Sequence, residues 1–333
     1  MMRIKTPPNL NNFLRKTPLV IFLLFLLILF ICFPILLPYY RDNVFNISDD
    51  TTLQTYGWMG DSFGIINALF SLCAFIGILL TLYYQNQDNK RRTIAELFYQ
   101  MLDVQQKVIE EINVSPVRKV KEGETINIVK GRKAFIEFKI QMKYLIKAVN
   151  EVVEKDGFNL SDVDIADISY AVFFYGSDSS WKPFMIEYLK DYDETERLVD
   201  AIIKKLDKNK MYILTRPNQN YLSVYFRNMY NAIKHIDNSK LLSSKEKNDY
   251  VKILRSQLSN AELYILFFNV ISRFGKKWID NDYITKYQLI QNLPSKYCDG
   301  YDPKEYFPDV RFEEEEKCLS PFKKQIVQRK SPI

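Results

Sequence analysis

The strongest constraint on this chain is a pair of uncharged apolar runs near its beginning. Residues 19–37, LVIFLLFLLILFICFPILL, contain no charge. At ~1.5 Å of rise per residue they reach roughly 28 Å as a helix, enough to cross the hydrocarbon core of a bilayer. Residues 63–84, FGIINALFSLCAFIGILLTLYY, are also uncharged and reach about 33 Å by the same rise. A cleaved signal peptide does not fit the first run, which is long and lacks a small-x-small cleavage site after it. Arg3, Lys5, Arg15 and Lys16 precede the first run, and Lys90, Arg91 and Arg92 follow the second. The connecting segment 38–62 sets Arg41 against Asp42, Asp49, Asp50 and Asp61. Positive charge on both outer flanks places both termini in the cytoplasm and the short loop outside. The expected order is a cytosolic segment 1–18, a two-helix transmembrane hairpin 19–84 with external loop 38–62, and a cytosolic body.

The second run carries Gly60, Gly64, Ala68 and Ser71 at helical spacing, with Asn67 beside them. Small residues let helices approach closely, and an amide in a membrane seeks a partner. The ridge suits packing against the first span or against a second copy in a homo-oligomer, and the spacing leaves both open.

The body is expected to be all-α. Ten glycines and thirteen prolines stand against many Lys, Asn, Ile, Tyr and Phe, and no alternation typical of strands is present. Residues 85–114 read as a juxtamembrane amphipathic helix with Leu97, Met101, Val104, Val108 and Ile112 on its apolar stripe, ending at Ser115-Pro116. A polar linker follows, and then an α-helical domain over 131–294. Its first helix shows Phe135, Phe138, Met142, Leu145, Val149 and Val152 on one face. Ser161 is a candidate cap and Gly176 a candidate stop for the next. Charged amphipathic helices fall in 184–207. Residues 221–237 place Phe226, Met229, Ile233 and Ile236 on one face and Arg227, Asn231 and Lys234 on another. Residues 246–274 read as the longest helix, and a last helix lies near 276–292. Residues 295–333 read as a loosely ordered charged tail.

Chemistry is sparse. The phosphate-loop and dinucleotide-binding glycine patterns, H-E-x-x-H and C-x-x-C are all missing from the sequence, and with them the commonest nucleotide, zinc and redox signatures. Cys32, Cys73, Cys298 and Cys318 match neither a disulfide framework nor a zinc site, and no cofactor or metal is expected. The single histidine, His235, would have to carry any His-dependent catalysis. A ribonuclease pairing Arg227 with His235 is weakened by their separation, since eight residues rotate the two side chains about 80° apart on a helix. The run of glutamates at 313–316 reads as a solvated face. The aromatic run YAVFFYGSD reads as core, because nucleic-acid sites pair aromatics with a basic stripe, and a net charge of +6 is a weak nucleic-acid signal.

One polar series does stand out, within RSQLSNAELYILFFN at 255–269. On a continuous helix Arg255, Ser259 and Glu262 step by four and three along one face, and Asn269 extends it. Gln257 lies within the same stretch. LYILFF is apolar nearly all round, so the helix should be central and Glu262 buried, and a buried carboxylate needs a cation. Arg227 on the preceding helix is the expected partner. The series reads as an internal polar network, with a ligand or catalytic pocket as the sharper alternative.

The ordered set GDSFGIINALFSLCAFIGILLTLYYQ, FYQMLDVQQKVIEEI, GRKAFIEF, FFYG, YFRNMYNAIKHID and YVKILRSQLSNAELYILFFN resembles phage abortive infection proteins of the AbiC-like type, over roughly residues 58–293. Two-span proteins of this design also look like retron-associated membrane effectors. The resemblance implies a membrane-anchored anti-phage effector in the bacterial inner membrane, multi-pass, acting by membrane perturbation. It implies as alternatives a membrane-tethered helical ribonuclease, or a scaffold or sensor with output through a partner such as a retron reverse transcriptase complex. Expected partners are the lipid bilayer, a second copy of the chain, and a phage-derived trigger or partner defence protein. Arg227, Arg255, Gln257, Ser259, Glu262 and Asn269 are the motif positions the resemblance carries over, without an active site.

Overall fold

The computed structural model describes Ile28 and residues 52–119, 127–209 and 211–312. The chain divides into two compact units, Met1–Gln85 and Asn86–Ile333. Apart from Ile28, the first apolar run lies outside the described residues, as do the glutamate run and the end of the tail.

In the first unit, the second apolar run is the middle of one very long helix, α1 (Thr52–Glu110). No proline falls between Pro38 and Pro116, so nothing in the interval removes a helical hydrogen bond. The helix therefore begins inside the expected external loop 38–62 and continues through the expected juxtamembrane segment. From Ile66 onward it is long and apolar enough to cross a membrane, and its apolar window is wholly unburied. It is the one such helix among the described residues, so the two-helix hairpin is not established. Gly60, Gly64, Asn67, Ala68 and Ser71 all lie on its first half.

In the second unit α1 packs through Phe98, Leu102, Gln105 and Ile109, with Ile112 just beyond its end. Leu97 and Val104 are 39% and 46% exposed. The buried stripe is thus one residue away from the expected one. Both registers satisfy helical spacing, but the true one contains Gln105, whose polarity hid it. The helix stops at Glu110, before Ser115-Pro116. Asn113–Val114 (β1) then pair antiparallel with Val129–Lys130 (β2), a small departure from an all-α body. Gly131, at φ +62, donates to the Ile112 carbonyl and turns the chain into the next helix.

That helix, α2 (Ala134–Asp156), is the centre of the body, packing against α3 (Asp162–Tyr175), α5 (Thr195–Asp207) and α8 (Asn260–Ile271). All six residues of its expected face are buried. α3 starts at Ser161, which forms a reciprocal capping box with Asp164, and stops at Gly176 (φ +83). A Cβ on Gly176 would lie 2.8 Å from the Thr215 carbonyl oxygen, so both backbone conformation and space require glycine there. Short α4 (Lys182–Tyr188) packs on α5, and α6 (Gln219–Asp237) packs on α7 (Ser244–Ser256). Phe226, Met229, Ile233 and Ile236 form the buried face of α6, as their spacing predicts.

The expected long helix 246–274 is two helices. α7 ends at Ser256 and α8 begins at Asn260. Ser259 has extended backbone (φ −76, ψ 162) and its hydroxyl accepts from the Glu262 N–H, while the Glu262 carboxylate accepts from the Ser259 N–H. S-N-A-E is an S-x-x-E capping box, which starts a new helix. Arg255 therefore does not share a helical face with Glu262. The centrality of α8 holds: every residue from Ala261 to Val270 is buried.

The expected last helix is likewise broken, into α9 (Lys276–Asp280) and α10 (Tyr283–Lys286) followed by turns. Asp282 and Gln288 sit at φ 53 and 52, left-handed positions that interrupt a helix. The tail does not begin at 295. Residues to 312 pack against the body, with Cys298, Tyr301, Phe307 and Val310 buried and α11 (Pro303–Tyr306) among them. The Tyr301 hydroxyl donates to the Asp162 carbonyl at 3.1 Å.

Candidate functional site: a cationic groove beside a buried carboxylate

The polar series expected to act together is distributed over three places. The first is a hub around Glu262, whose side chain is fully buried. Its Oε2 accepts from the Ser259 N–H at 2.8 Å and the Ser259 hydroxyl at 2.6 Å. Its Oε1 accepts from the Tyr225 hydroxyl of α6 at 3.0 Å. The cation beside it is Arg132, with Nε 3.4 Å from Oε2. The expected partner, Arg227, is not at the hub. Position explains the exchange: Arg132 follows the Gly131 turn immediately before α2, whereas on α6 the inward residue is Tyr225. Full burial and the neighbouring Glu262 charge push the Tyr225 hydroxyl well above the ordinary tyrosine range.

Gln257 extends the hub outward, since Gln106 donates to it at 3.1 Å and itself accepts from Arg132 at 3.3 Å. Arg255 is elsewhere again. Its Nη1 donates to the Gln288 carbonyl at 2.9 Å, bracing the turn after α10. These contacts are structural in kind, because each satisfies a buried or half-buried polar group.

Arg227 and Asn269 instead share a groove of about 700 Å³. One wall is α6, where Ser223, Arg227, Tyr230, Asn231 and Lys234 recur at three- and four-residue steps. The other wall is Phe274, Lys277, Trp278 and Asn281, also at helical spacing. Leu222 and Phe226 of α6, with Asn269 and Phe174, complete the lining. Trp278 packs edge-on to Tyr230 with ring centroids 5.2 Å apart, and Phe274 lies 4.7 Å from Phe174. Asn281 donates to the Tyr230 hydroxyl at 3.2 Å and so fixes that ring. Asn269 is 4% exposed. Its amide nitrogen donates to the Tyr170 hydroxyl at 2.9 Å, and its Oδ1 has no partner. Arg227, Lys234 and Lys277 are exposed, and the lining contains no carboxylate.

His235 stands outside this groove. Its Nε2 is 3.1 Å from the Ile94 carbonyl oxygen of α1, a contact that ties α6 to α1 and places the imidazole away from Arg227.

A further cluster was not anticipated. Asp167, 5% exposed on α3, accepts from the Arg273 backbone N–H at 2.8 Å, from Arg273 Nε at 2.8 Å and from the Tyr192 hydroxyl at 2.7 Å. The Arg273 guanidinium stacks over Tyr188. This ion pair anchors the turn that carries Phe274 into the groove. A signal existed in the sequence: Asp167 interrupts the otherwise apolar helix IADISYAVFF, and a buried acid requires a cation.

No curated protein and no solved structure matches the chain. Twelve of the thirteen residues lining the groove fall between Leu222 and Asn281, Phe174 being the exception. Residues 217–297, which include those twelve, match the family model described as "Putative phage abortive infection protein", so the segment that bears the groove is similar to that family.

Proposed function

We propose that the protein is a membrane-anchored effector of phage defence, whose helical body responds to infection and whose membrane segment then compromises the inner membrane. The family match supports the defence role. The observation that carries the membrane reading is the apolar part of α1. Leu69, Leu72, Phe75, Ile78, Leu80 and Leu82 are each 52–60% exposed, and they spread over more than half of the helix circumference. Transferring such side chains out of water is worth roughly 1.5–3 kcal/mol each, which favours lipid strongly. Lys90, Arg91 and Arg92 just beyond this stretch suit a cytoplasmic flank, consistent with both termini being cytoplasmic. The ridge of Gly60, Gly64, Asn67, Ala68 and Ser71 is the face assigned to packing against another span, from the same chain or from a second copy in a homo-oligomer.

The test is expression in bacteria challenged with phage, with cell fractionation and a potential-sensitive dye. The protein is expected in the membrane fraction, with depolarisation accompanying growth arrest. A Leu79→Lys change in the span should abolish both. Recovery in the soluble fraction would overturn the anchor. Arrest with intact membrane potential would overturn membrane perturbation in favour of output through a partner, or of RNA cleavage if transcripts are degraded.

A further inference from the structure

We infer that the groove between α6 and the segment 272–281 binds a nucleoside phosphate. Several cations elsewhere in the body are paired with carboxylates: Arg91 with Glu246, Arg132 with Glu262, Arg273 with Asp167, Lys286 with Asp237. Arg227, Lys234 and Lys277 are not. Among the described residues none of the three has a carboxylate within 4.0 Å, and they converge on a concavity rather than spreading over a surface. A concave site lined by one sign of charge concentrates ligands of the other. Arg227 and Lys234 lie seven residues apart on α6, about 10 Å along the axis, so they engage separate anionic groups of one ligand.

The remaining lining selects what carries the anion. Half-buried Tyr230, backed by the buried Trp278, supplies an aromatic edge against which a base can pack. Asn269 supplies an acceptor, buried and without a partner, at the groove floor. An unmatched buried acceptor costs about 1–3 kcal/mol, and a base N–H, directly or through one water, would satisfy it. Anion, flat ring and N–H donor together describe a nucleotide. The volume of about 700 Å³ is within the range of small-molecule sites. No glycine-rich loop is needed, because side chains provide the contacts. The lining offers no carboxylate to act as general base or to hold a magnesium ion, so the assignment is binding, with the nucleotide as a regulator of the body. A single-stranded nucleic acid would require a longer basic track than these three side chains provide.

The test uses the full chain in detergent, titrated with ATP, ADP, adenosine, inorganic phosphate and an oligonucleotide of about a dozen residues. Binding is read by calorimetry and by quenching of tryptophan fluorescence. ATP or ADP should bind, with adenosine and phosphate each at least roughly ten-fold weaker. Arg227→Ala combined with Lys277→Ala should weaken nucleotide binding at least roughly ten-fold while leaving the thermal midpoint unchanged, and Trp278→Phe should remove most of the quenching. No binding of ATP or ADP at about 1 mM, or undiminished binding by the double variant, would overturn the assignment. So would phosphate binding as tightly as ATP, or an oligonucleotide binding ten-fold tighter. The assignment stands apart from the membrane reading, and failure of either leaves the other in place.

Discussion

Glu262 offers a direct test of what holds a buried carboxylate in this fold. In one view its charge is balanced by Arg132; in the other it is held by hydrogen bonds. The geometry favours the second. Arg132 approaches no closer than 3.4 Å and its side chain is 43% exposed, whereas Ser259 and Tyr225 donate at 2.6–3.0 Å from inside the body and at a helix N-terminus that itself stabilises negative charge. Glu262→Ala removes the capping box of α8, about 1 kcal/mol. It also strands the Tyr225 hydroxyl, about 1–3 kcal/mol, and leaves a small cavity worth about 1 kcal/mol. The total is about 3–5 kcal/mol. Arg132→Ala leaves the donors in place and should cost about 1 kcal/mol, the scale of a half-exposed pair. For a body of this size each kcal/mol lowers the thermal midpoint by ~2–4 °C. Glu262→Ala should therefore fall by roughly 6–20 °C and Arg132→Ala by roughly 2–4 °C. Near-UV circular dichroism of the detergent-solubilised chain would read this without interference from the backbone of α1. An Arg132→Ala loss as large as that of Glu262→Ala would refute the argument and make the ion pair the dominant contact.

Gly275→Ala places a Cβ 2.2 Å from the Val270 Cα and 2.5 Å from the Asn269 carbonyl oxygen. It should cost about 3 kcal/mol or more and displace the Phe274–Trp278 wall, seen as a lower thermal midpoint; an unchanged midpoint would contradict that close approach. Burial pushes the Cys298 thiol well above the ordinary cysteine range, outweighing the nearby Lys139 cation. In a Cys32→Ser, Cys73→Ser, Cys318→Ser background, a thiol reagent should therefore label Cys298 only after unfolding. Hydrogen bonds from the Ser243 backbone and hydroxyl, aided by Arg91, hold Glu246 below its ordinary 4.5. A depressed carboxylate stabilises above its unfolded pKa and loses that contribution as pH falls through the folded value. Wild type should thus lose more stability than Glu246→Gln between about pH 5 and pH 3, and parallel melting curves would show the cap to be inert.

What the sequence disclosed followed from periodicity and local chemistry. The faces of α2 and α6, and the Ser161 and Gly176 limits of α3, depend on residues within a turn or two of one another. What escaped depended on partners far along the chain. The α1 stripe was displaced by one residue because Gln105 is polar, and its burial is intelligible only once Asn228 is seen donating to it at 2.8 Å. That Arg132 rather than Arg227 lies beside Glu262 is set by how α2 meets α8, which spacing does not encode. The end of the body was masked by charge: KEYFPDVRF reads as polar, yet Tyr301 and Phe307 within and beside it are buried. The recurring aromatics after Tyr297 were the available signal. The first apolar run, apart from Ile28, and the last residues of the tail lie outside the described residues.

The hub and the groove show why a buried polar cluster is a poor guide to function in such a body. Among the described residues three capping boxes occur, at Ser161–Asp164, Ser243–Glu246 and Ser259–Glu262, and all serve the same purpose of restarting a helix. Two lie at the surface. The third is buried because the helix it starts is apolar on every side, so its N-terminus is enclosed with it. Tyr225 and Arg132 then follow from the cost of an enclosed carboxylate. Both oxygens of the Glu262 carboxylate are accounted for by folding. The groove is the reverse. Among the described residues Arg227, Lys234 and Lys277 have no carboxylate partner, and Asn269 Oδ1 is buried without a hydrogen bond. A fold under no other constraint gains stability by removing such features, since filling the groove and matching the amide cost nothing elsewhere. Function is therefore better sought among the side chains that folding leaves unemployed than among those it binds most tightly.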